Sequence, residues 1–277
     1  MSGLMDLHNH TVRCLHATGT MEAYVERARA LGISDFGFSD HSHWMLNATH
    51  ERYAMLAEEL DAYVADVQQL QARYHCDGPH PFRILLGMEM DFIPARLAVA
   101  RATQERYPWD YLIGSVHHIG FEKLQQPELY TQWSGDDVCE LYFHQLGLMI
   151  RERFADIVGH LDLPKKMGFR PQRGLLSYIE PLIPDLLAAG MAVEINTSGL
   201  DNPAQEFMPG WDTLAALAES GVPLTLGSDA HAPHQVGRHF ALALSGLRRI
   251  GVRTLVRFER RQQITVEVAA LQAITSN

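Results

Sequence analysis

The sequence predicts an α/β fold of parallel strands, a covered sheet or a barrel, and three observations predict it. Seven short apolar runs recur along the 277 residues. Stretches of helical periodicity separate them, the alternation expected of βαβ units. Each run leads into a residue that can bind a metal or carry a proton. In a parallel barrel the C-terminal strand ends converge on one face, where active sites sit, so the third observation favours the barrel.

Taken in order, the first run, Leu4–Leu7, leads into His8-Asn9-His10. Thr20 can cap a helix running from Glu22 to Leu31, with Gly32 at its C-terminal end. The second run, Ile33–Phe38, meets Asp40-His41. A helical insert over about residues 44–82 follows, in which Leu56, Leu60, Tyr63, Val64, Val67, Leu70 and Tyr74 recur at three- and four-residue spacing. That spacing predicts a long amphipathic helix with a core-facing stripe, and the insert is placed to cover the mouth of the barrel. The third run, Ile84–Met88, ends in Glu89, the fourth, Tyr111–Val116, in His117-His118, and the fifth, Ile157–Val158, in His160. The sixth, Met191–Ile195, contains Glu194 and runs into Asn196, and the seventh, Pro223–Leu226, meets Asp229-Ala230-His231. No repeat, low-complexity tract or linker divides the chain, which predicts one domain over residues 1–277.

Composition narrows the function classes. With 47% hydrophobic and 20% charged residues the chain reads as an ordinary globular protein. A net charge of −10 argues against nucleic acid or an anionic membrane as the main partner. The one basic cluster, Arg248, Arg249, Arg253, Arg257, Arg260 and Arg261, reads as a solvated face. Cys14, Cys76 and Cys139 are odd in number and far apart, so no disulfide framework is expected and a reducing cytoplasm is. No apolar run approaches the ~18 residues of a membrane span, and the first residues lack the basic and apolar segments of a signal peptide.

The chemistry lies in the histidines, fifteen in all. His8 and His10, two apart in a strand, project from one face ~7 Å apart at the backbone, a spacing that lets two imidazoles converge on one ion. Asp229 and His231 repeat the pattern, His41, Glu89, His117 and His160 add single donors, and His16 reaches back from the loop after the first run. Zinc takes about three or four protein ligands. Nine donors therefore predict two or three divalent ions, with Glu89 able to bridge two of them. Imidazole and carboxylate without thiolate suit Zn, Mn or Fe alike. Three such ions against two carboxylates leave about +4, a trap for a dianion inside an acidic protein. Paired ions activate a water and clamp the oxygens of an in-line displacement, so phosphoester hydrolysis is the matching reaction. Glu89 is the candidate catalytic residue, as a ligand able to bridge two ions and position the hydroxide; the general acid stays unassigned. No G-x-S-x-G elbow competes for the nucleophile's role.

These residues resemble a known family. His8-Asn9-His10, His16, Ser39-Asp40-His41, Glu89, Gly114-Ser115-Val116-His117, Gly159-His160-Leu161-Asp162 and Ser228-Asp229-Ala230-His231 are similar, in order, to the motifs of the PHP (polymerase and histidinol phosphatase) superfamily. Gly114 to His118, Gly159 to Lys166 and Ser228 to Arg238 look most like its monofunctional histidinol-phosphatase branch. The resemblance implies a distorted (β/α)7 TIM-like barrel with a trinuclear metal centre. It implies His8, His10, Glu89 and Asp229 at a first ion, Glu89, His117 and His160 at a second, and His16, His41 and His231 at a third. It also implies the reaction, L-histidinol phosphate to L-histidinol and phosphate, in histidine biosynthesis; spacing and charge alone reach only phosphoester hydrolysis.

Substrate contacts are harder to read. Lys165, Lys166 and Arg238 follow the fifth and seventh runs and can pair with a phosphoryl oxygen. His43 and His118 sit beside proposed ligands, although strand alternation turns His118 away from His117. Asp6 can orient the imidazole of His8. Asp162, Asp91 or Asp201 can accept the substrate ammonium, and Asn196 can bond within the pocket. The other histidines, His50, His75, His80, His144, His234 and His239, read as surface or helix-face residues. Competing functions are a PHP phosphoesterase for a nucleotide, sugar phosphate or phosphotyrosine, a noncatalytic metal-stabilised module, and an amidohydrolase-type hydrolase. The complete donor set argues against the module, and the last class often uses a Lys where this chain has His117.

Overall fold

The computed structural model describes residues 3–44, 53–77, 81–120, 122–126 and 128–271. The strands are β1 (Leu4–Asp6), β2 (Ile33–Phe38), β3 (Arg83–Leu86), β4 (Glu89–Asp91), β5 (Ile113–Ser115), a ribbon of β6 (His118–Ile119) and β7 (Glu122–Lys123), β8 (Ile157–Val158), β9 (Ala192–Asn196), β10 (Leu224–Gly227), β11 (Thr254–Glu259) and β12 (Gln262–Glu267). β1, β2 and β3 pair in parallel, and β10, β9, β8, β5 and β4 form a second parallel sheet.

Backbone bonds join the two sheets into a distorted barrel of seven staves. At one seam Leu7 N donates to Leu226 O at 3.1 Å and His10 N to Ala230 O at 2.9 Å. At the other, the third apolar run, Ile84–Met88, is strand only as far as Leu86. This strand, β3, pairs with β2; Glu89 opens the separate strand β4, bridges to His41 and pairs onward with Ile113. The predicted third strand thus stops short, and a further strand starts at its expected ligand.

Barrel strands such as β2, β9 and β10 are buried along their whole length because helices cover the outside and side chains fill the inside, which is why they read as continuous apolar runs. Tyr111 fills the middle, its hydroxyl donating to Leu7 O at 2.6 Å. Gly37 makes room for it, since a Cβ there would stand 2.0 Å from the Tyr111 oxygen.

The first helix spans Met21–Ala30, with the Thr20 side chain accepting from Ala23 N as expected. The predicted stripe of the insert forms the helix Leu60–Tyr74, which buries Leu60, Tyr63, Val64, Val67 and Leu70; the Tyr63 hydroxyl donates to Gly87 O at 2.8 Å, tying the helix to the break between β3 and β4. Residues 45–52 and 78–80 of the insert, with His50 and His80, lie outside the described residues. No helix among the described residues is long and apolar enough to cross a membrane.

The arginine-rich segment departs from expectation. Part of it forms the antiparallel hairpin β11–β12 beneath the barrel, at the end opposite the histidines. Arg261 pairs with Asp156 through Nε at 2.9 Å and Nη2 at 3.1 Å, and its N–H donates to Asp110 O at 2.7 Å. Arg257 lies 3.7 Å from Asp35, itself 2.6 Å from Arg83. Arg248, Arg249, Arg253 and Arg260 are exposed as predicted; Arg257 and Arg261 instead neutralise aspartates at the strand starts. Arg261→Ala should cost about 1–3 kcal/mol, because it leaves the largely buried Asp156 without its charged donor. Calorimetry should find a melting temperature ~2–10 °C lower, with turnover unchanged; an unchanged melting temperature would mean that the hairpin is held by Phe258 and its apolar neighbours alone.

Candidate metal centre

The strand ends place their polar side chains around one carboxylate. Glu89, 1% exposed, sets Oε2 at 2.8 Å from His41 Nδ1, 3.4 Å from His8 Nε2 and 3.7 Å from His10 Nε2. Its Oε1 lies 2.9 Å from His160 Nε2 and 3.3 Å from His117 Nε2, and accepts from Ser115 Oγ at 2.7 Å. Asp229 Oδ1 stands 3.3 Å from His10 Nε2, 3.5 Å from His231 Nδ1 and 3.8 Å from His8 Nε2. His16 completes the ring from its loop, its imidazole centroid 4.5 Å from that of His231 and 5.3 Å from that of His41. Seven of the nine predicted donors line a cleft of about 460 Å³, and His8 and His10 are fully buried against Glu89 and Asp229.

The outward nitrogens of several rings are held. His10 Nδ1 faces Asp40 at 3.5 Å, His117 Nδ1 faces Asp91 at 2.8 Å, His16 Nδ1 faces Cys14 O at 2.8 Å, and His8 Nδ1 faces Glu194 at 2.7 Å. A proton held at Nδ1 leaves the Nε2 lone pair for a cation, the arrangement typical of metal-bound histidines. The backbone is bent to aim two donors: His160 has φ +23° and Asp229 φ +51°. Such values in residues other than glycine cost energy and cluster at functional sites.

Burial opposes charge on every group here, and neighbours decide each outcome. Burial raises Glu89, but the imidazoles of His41, His117 and His8 outweigh it and hold the carboxyl well below its usual range. Burial lowers His117, yet Glu89 and Asp91 push it up to about 10. For His41 burial wins and brings it down to about 3. Burial together with the His10 charge also lowers His231 and His16, so these rings are neutral and able to donate lone pairs.

The donor set fits divalent cations. His8 Nε2, His10 Nε2 and His231 Nε2 are buried without a hydrogen-bond partner, the first two 3.4 and 3.7 Å from Glu89 Oε2. Each such atom costs about 1–3 kcal/mol if left unsatisfied, a cost that cations between them relieve. Among the described residues five triads have donor atoms within 4.8 Å of one another, and three of them consist only of expected donors: His8, His10 and Asp229; His41, Glu89 and His117; His10, His41 and His231.

The family model for the PHP domain matches residues 6–198. A probable histidinol-phosphatase of Deinococcus radiodurans is 35% identical over 266 residues, 95% of this chain and all of the relative. The chain belongs to the PHP family. A second probable histidinol-phosphatase, from Schizosaccharomyces pombe, is 29% identical over 91% of this chain and 89% of its own length. The PHP fold is shared with the crystal structure of histidinol phosphate phosphatase from Lactococcus lactis in complex with zinc, L-histidinol and phosphate. It superposes with a TM-score of 0.77 at 21% identity, covering 95% of this chain and all of that one.

Around the PHP centre the expected substrate contacts divide. Lys166 and Arg238 line the cleft. Lys165 does not: its buried ammonium donates to Glu206 at 3.0 Å and Phe207 O at 2.7 Å and lies 2.8 Å from Asp162, so it binds two loops together. His118 is buried with Nδ1 3.6 Å from Asp91, and His43 packs its ring on Trp44; neither lines the cleft. Asp6 holds the backbone N–H groups of Ser228 and Gly237, at 2.9 and 3.0 Å, and leaves the His8 ring to Glu194. Asp91 and Asp162 are committed to His117 and Lys165, whereas Asp201 lines the cleft in contact with Arg238 and His239. Sequence reasoning missed Tyr53, Lys123, Gln125, Ser198, Asn202 and Gln235, all on the cleft wall. Lys123 Nζ sits 3.5 Å over the Tyr53 ring, joining the insert to the β6–β7 ribbon; no pattern in either segment signals that pairing.

Proposed function

We propose that the protein is a divalent-metal-dependent phosphomonoesterase that hydrolyses L-histidinol phosphate to L-histidinol and phosphate, in histidine biosynthesis and in the cytoplasm. The observation that carries this is the buried Glu89 carboxylate ringed by imidazoles from several strands, in a chain matched over 95% of its length by a relative named probable histidinol-phosphatase. The zinc, L-histidinol and phosphate bound by the Lactococcus protein support both the metal and the substrate.

We assign His8, His10, Glu89 and Asp229 to one ion, Glu89, His117 and His160 to a second, and His16, His41 and His231 to a third. His41, with Nδ1 at 2.8 Å from Glu89, stands where the second and third donor groups meet. Bound there, divalent ions supply Lewis acidity towards phosphoryl oxygens and lower the pKa of water. The protein's part is placement. Glu89 spans the two halves of the donor set, Asp91 and Asp40 hold the rings of His117 and His10, and the cleft above these buried side chains has room for an ester. Lys166 is the cation on the wall for a phosphoryl oxygen. Arg238 is already engaged, its guanidinium donating to Ser228 O, Asp229 O and Asp201, so it steadies the loop of Asp229.

The deciding experiment is phosphate release from L-histidinol phosphate by the purified protein with zinc or manganese, beside nucleotide, sugar and tyrosine phosphates. We expect strong preference for L-histidinol phosphate. Turnover confined to the other esters would keep the phosphoesterase and overturn the substrate.

A further inference from the structure

β9 supplies none of the nine donors, yet its two polar side chains reach three of them. Glu194, 1% exposed, places Oε1 at 2.7 Å from His8 Nδ1, while its Oε2 accepts from His160 N at 2.8 Å and from Asn196 Nδ2 at 3.1 Å. Asn196 Nδ2 also lies 3.3 Å from Asp229 Oδ2. Both carboxylate oxygens are thus taken up by protein donors, which leaves Glu194 no free oxygen for a cation.

What it holds matters more. A carboxylate can only accept, so His8 must present Nδ1–H to it, and that tautomer directs the Nε2 lone pair towards Glu89 and Asp229. The bond to His160 N fixes the one residue whose backbone, at φ +23°, turns its imidazole onto Glu89. The chain also reserves space for this carboxylate: a Cβ on Gly227 would stand 2.0 Å from Glu194 Oε1.

We infer that Glu194, with Asn196, is a positioning residue that sets the tautomer of His8 and the backbone of His160, so that donors from β1, β8 and β10 form one metal centre. This rests on the metal-centre part of the function proposed above. Glu194→Gln keeps the shape, but its single carbonyl oxygen can serve His8 or His160, not both, and its amide N–H groups face a donor on the other side.

Zinc titrated calorimetrically into chelator-stripped protein tests this, with circular dichroism of the stripped proteins as the control for folding. The variant is expected to fold as wild type and to bind its tightest zinc ~10–100-fold more weakly. Its kcat should fall at limiting zinc and recover as zinc is raised, with KM unchanged. A zinc isotherm identical to wild type overturns the inference. Should Glu194→Gln not fold, Asn196→Ala, which removes one of two donors to Asp229 Oδ2 and one contact of Glu194, is read in the same way: weaker zinc supports the inference and an unchanged isotherm overturns it. The two proposals fail separately. Wild type that ignores L-histidinol phosphate refutes the substrate and leaves the isotherms to decide Glu194; identical isotherms beside full turnover of that ester do the reverse.

Discussion

Glu89→Gln should reduce hydrolysis at least ~10³-fold while leaving the protein folded. The side chain keeps its volume, so packing against Ser115 and the five imidazoles is preserved. What changes is the donor chemistry. Glu89 offers one oxygen to His41, His8 and His10 and the other to His160 and His117. Glutamine replaces one of these oxygens with an N–H₂ that cannot bind a cation, so the two halves of the donor set lose their common member and the metal content should fall by at least one ion. His117→Ala should cause a loss of the same order, since it removes a donor and strands the buried Asp91 carboxylate. Phosphate release and metal analysis, with circular dichroism on the metal-free proteins, check both variants. Turnover near wild type in either would remove that residue from the centre.

Much of this arrangement is legible in the sequence because parallel strands buried on both faces leave apolar runs, and because polar residues at run ends stand out against them. The i, i+2 pairs His8/His10 and Asp229/His231 stand out for that reason, and the structure brings all nine expected donors to one place. The rest depends on tertiary context. Gly87 alone marks locally where the run Ile84–Met88 stops being strand. The β11–β12 hairpin was invisible because its two-residue turn is Arg260-Arg261, at φ +48° and +65°, where Asn-Gly is the usual signal. Lys165 and Lys166 are neighbours in one short turn, Leu163–Met167, and only its docking against Asp162 and Glu206 decides which ammonium is buried. Glu194 and Asn196 stand in the sequence as a third i, i+2 pair of polar residues at a run end; their distances show that they hold ligands.

Removing the metal should abolish hydrolysis, and zinc or manganese should restore it. Folding and loading are linked: ions bound at about 1,000 times their Kd stabilise by ~4 kcal/mol, so the stripped protein should melt ~8–16 °C lower. The pH dependence of reloading follows from the protons that occupy the empty centre. In the stripped protein His117 is pushed up to about 10, so at pH 7 its ring carries a proton, and Nε2, 3.3 Å from Glu89, must lose that proton to become a ligand. His41, down at about 3, has none to lose. Loading at pH 7 should therefore release at least one proton, and apparent affinity should rise with pH across the neutral range towards about 10. Calorimetry in two buffers of different ionisation enthalpy reads this directly. A heat independent of the buffer would mean that the imidazoles stand neutral around Glu89 in the stripped protein, and that the carboxylate, not a set of protons waiting to be displaced, accounts for the cohesion of the empty site.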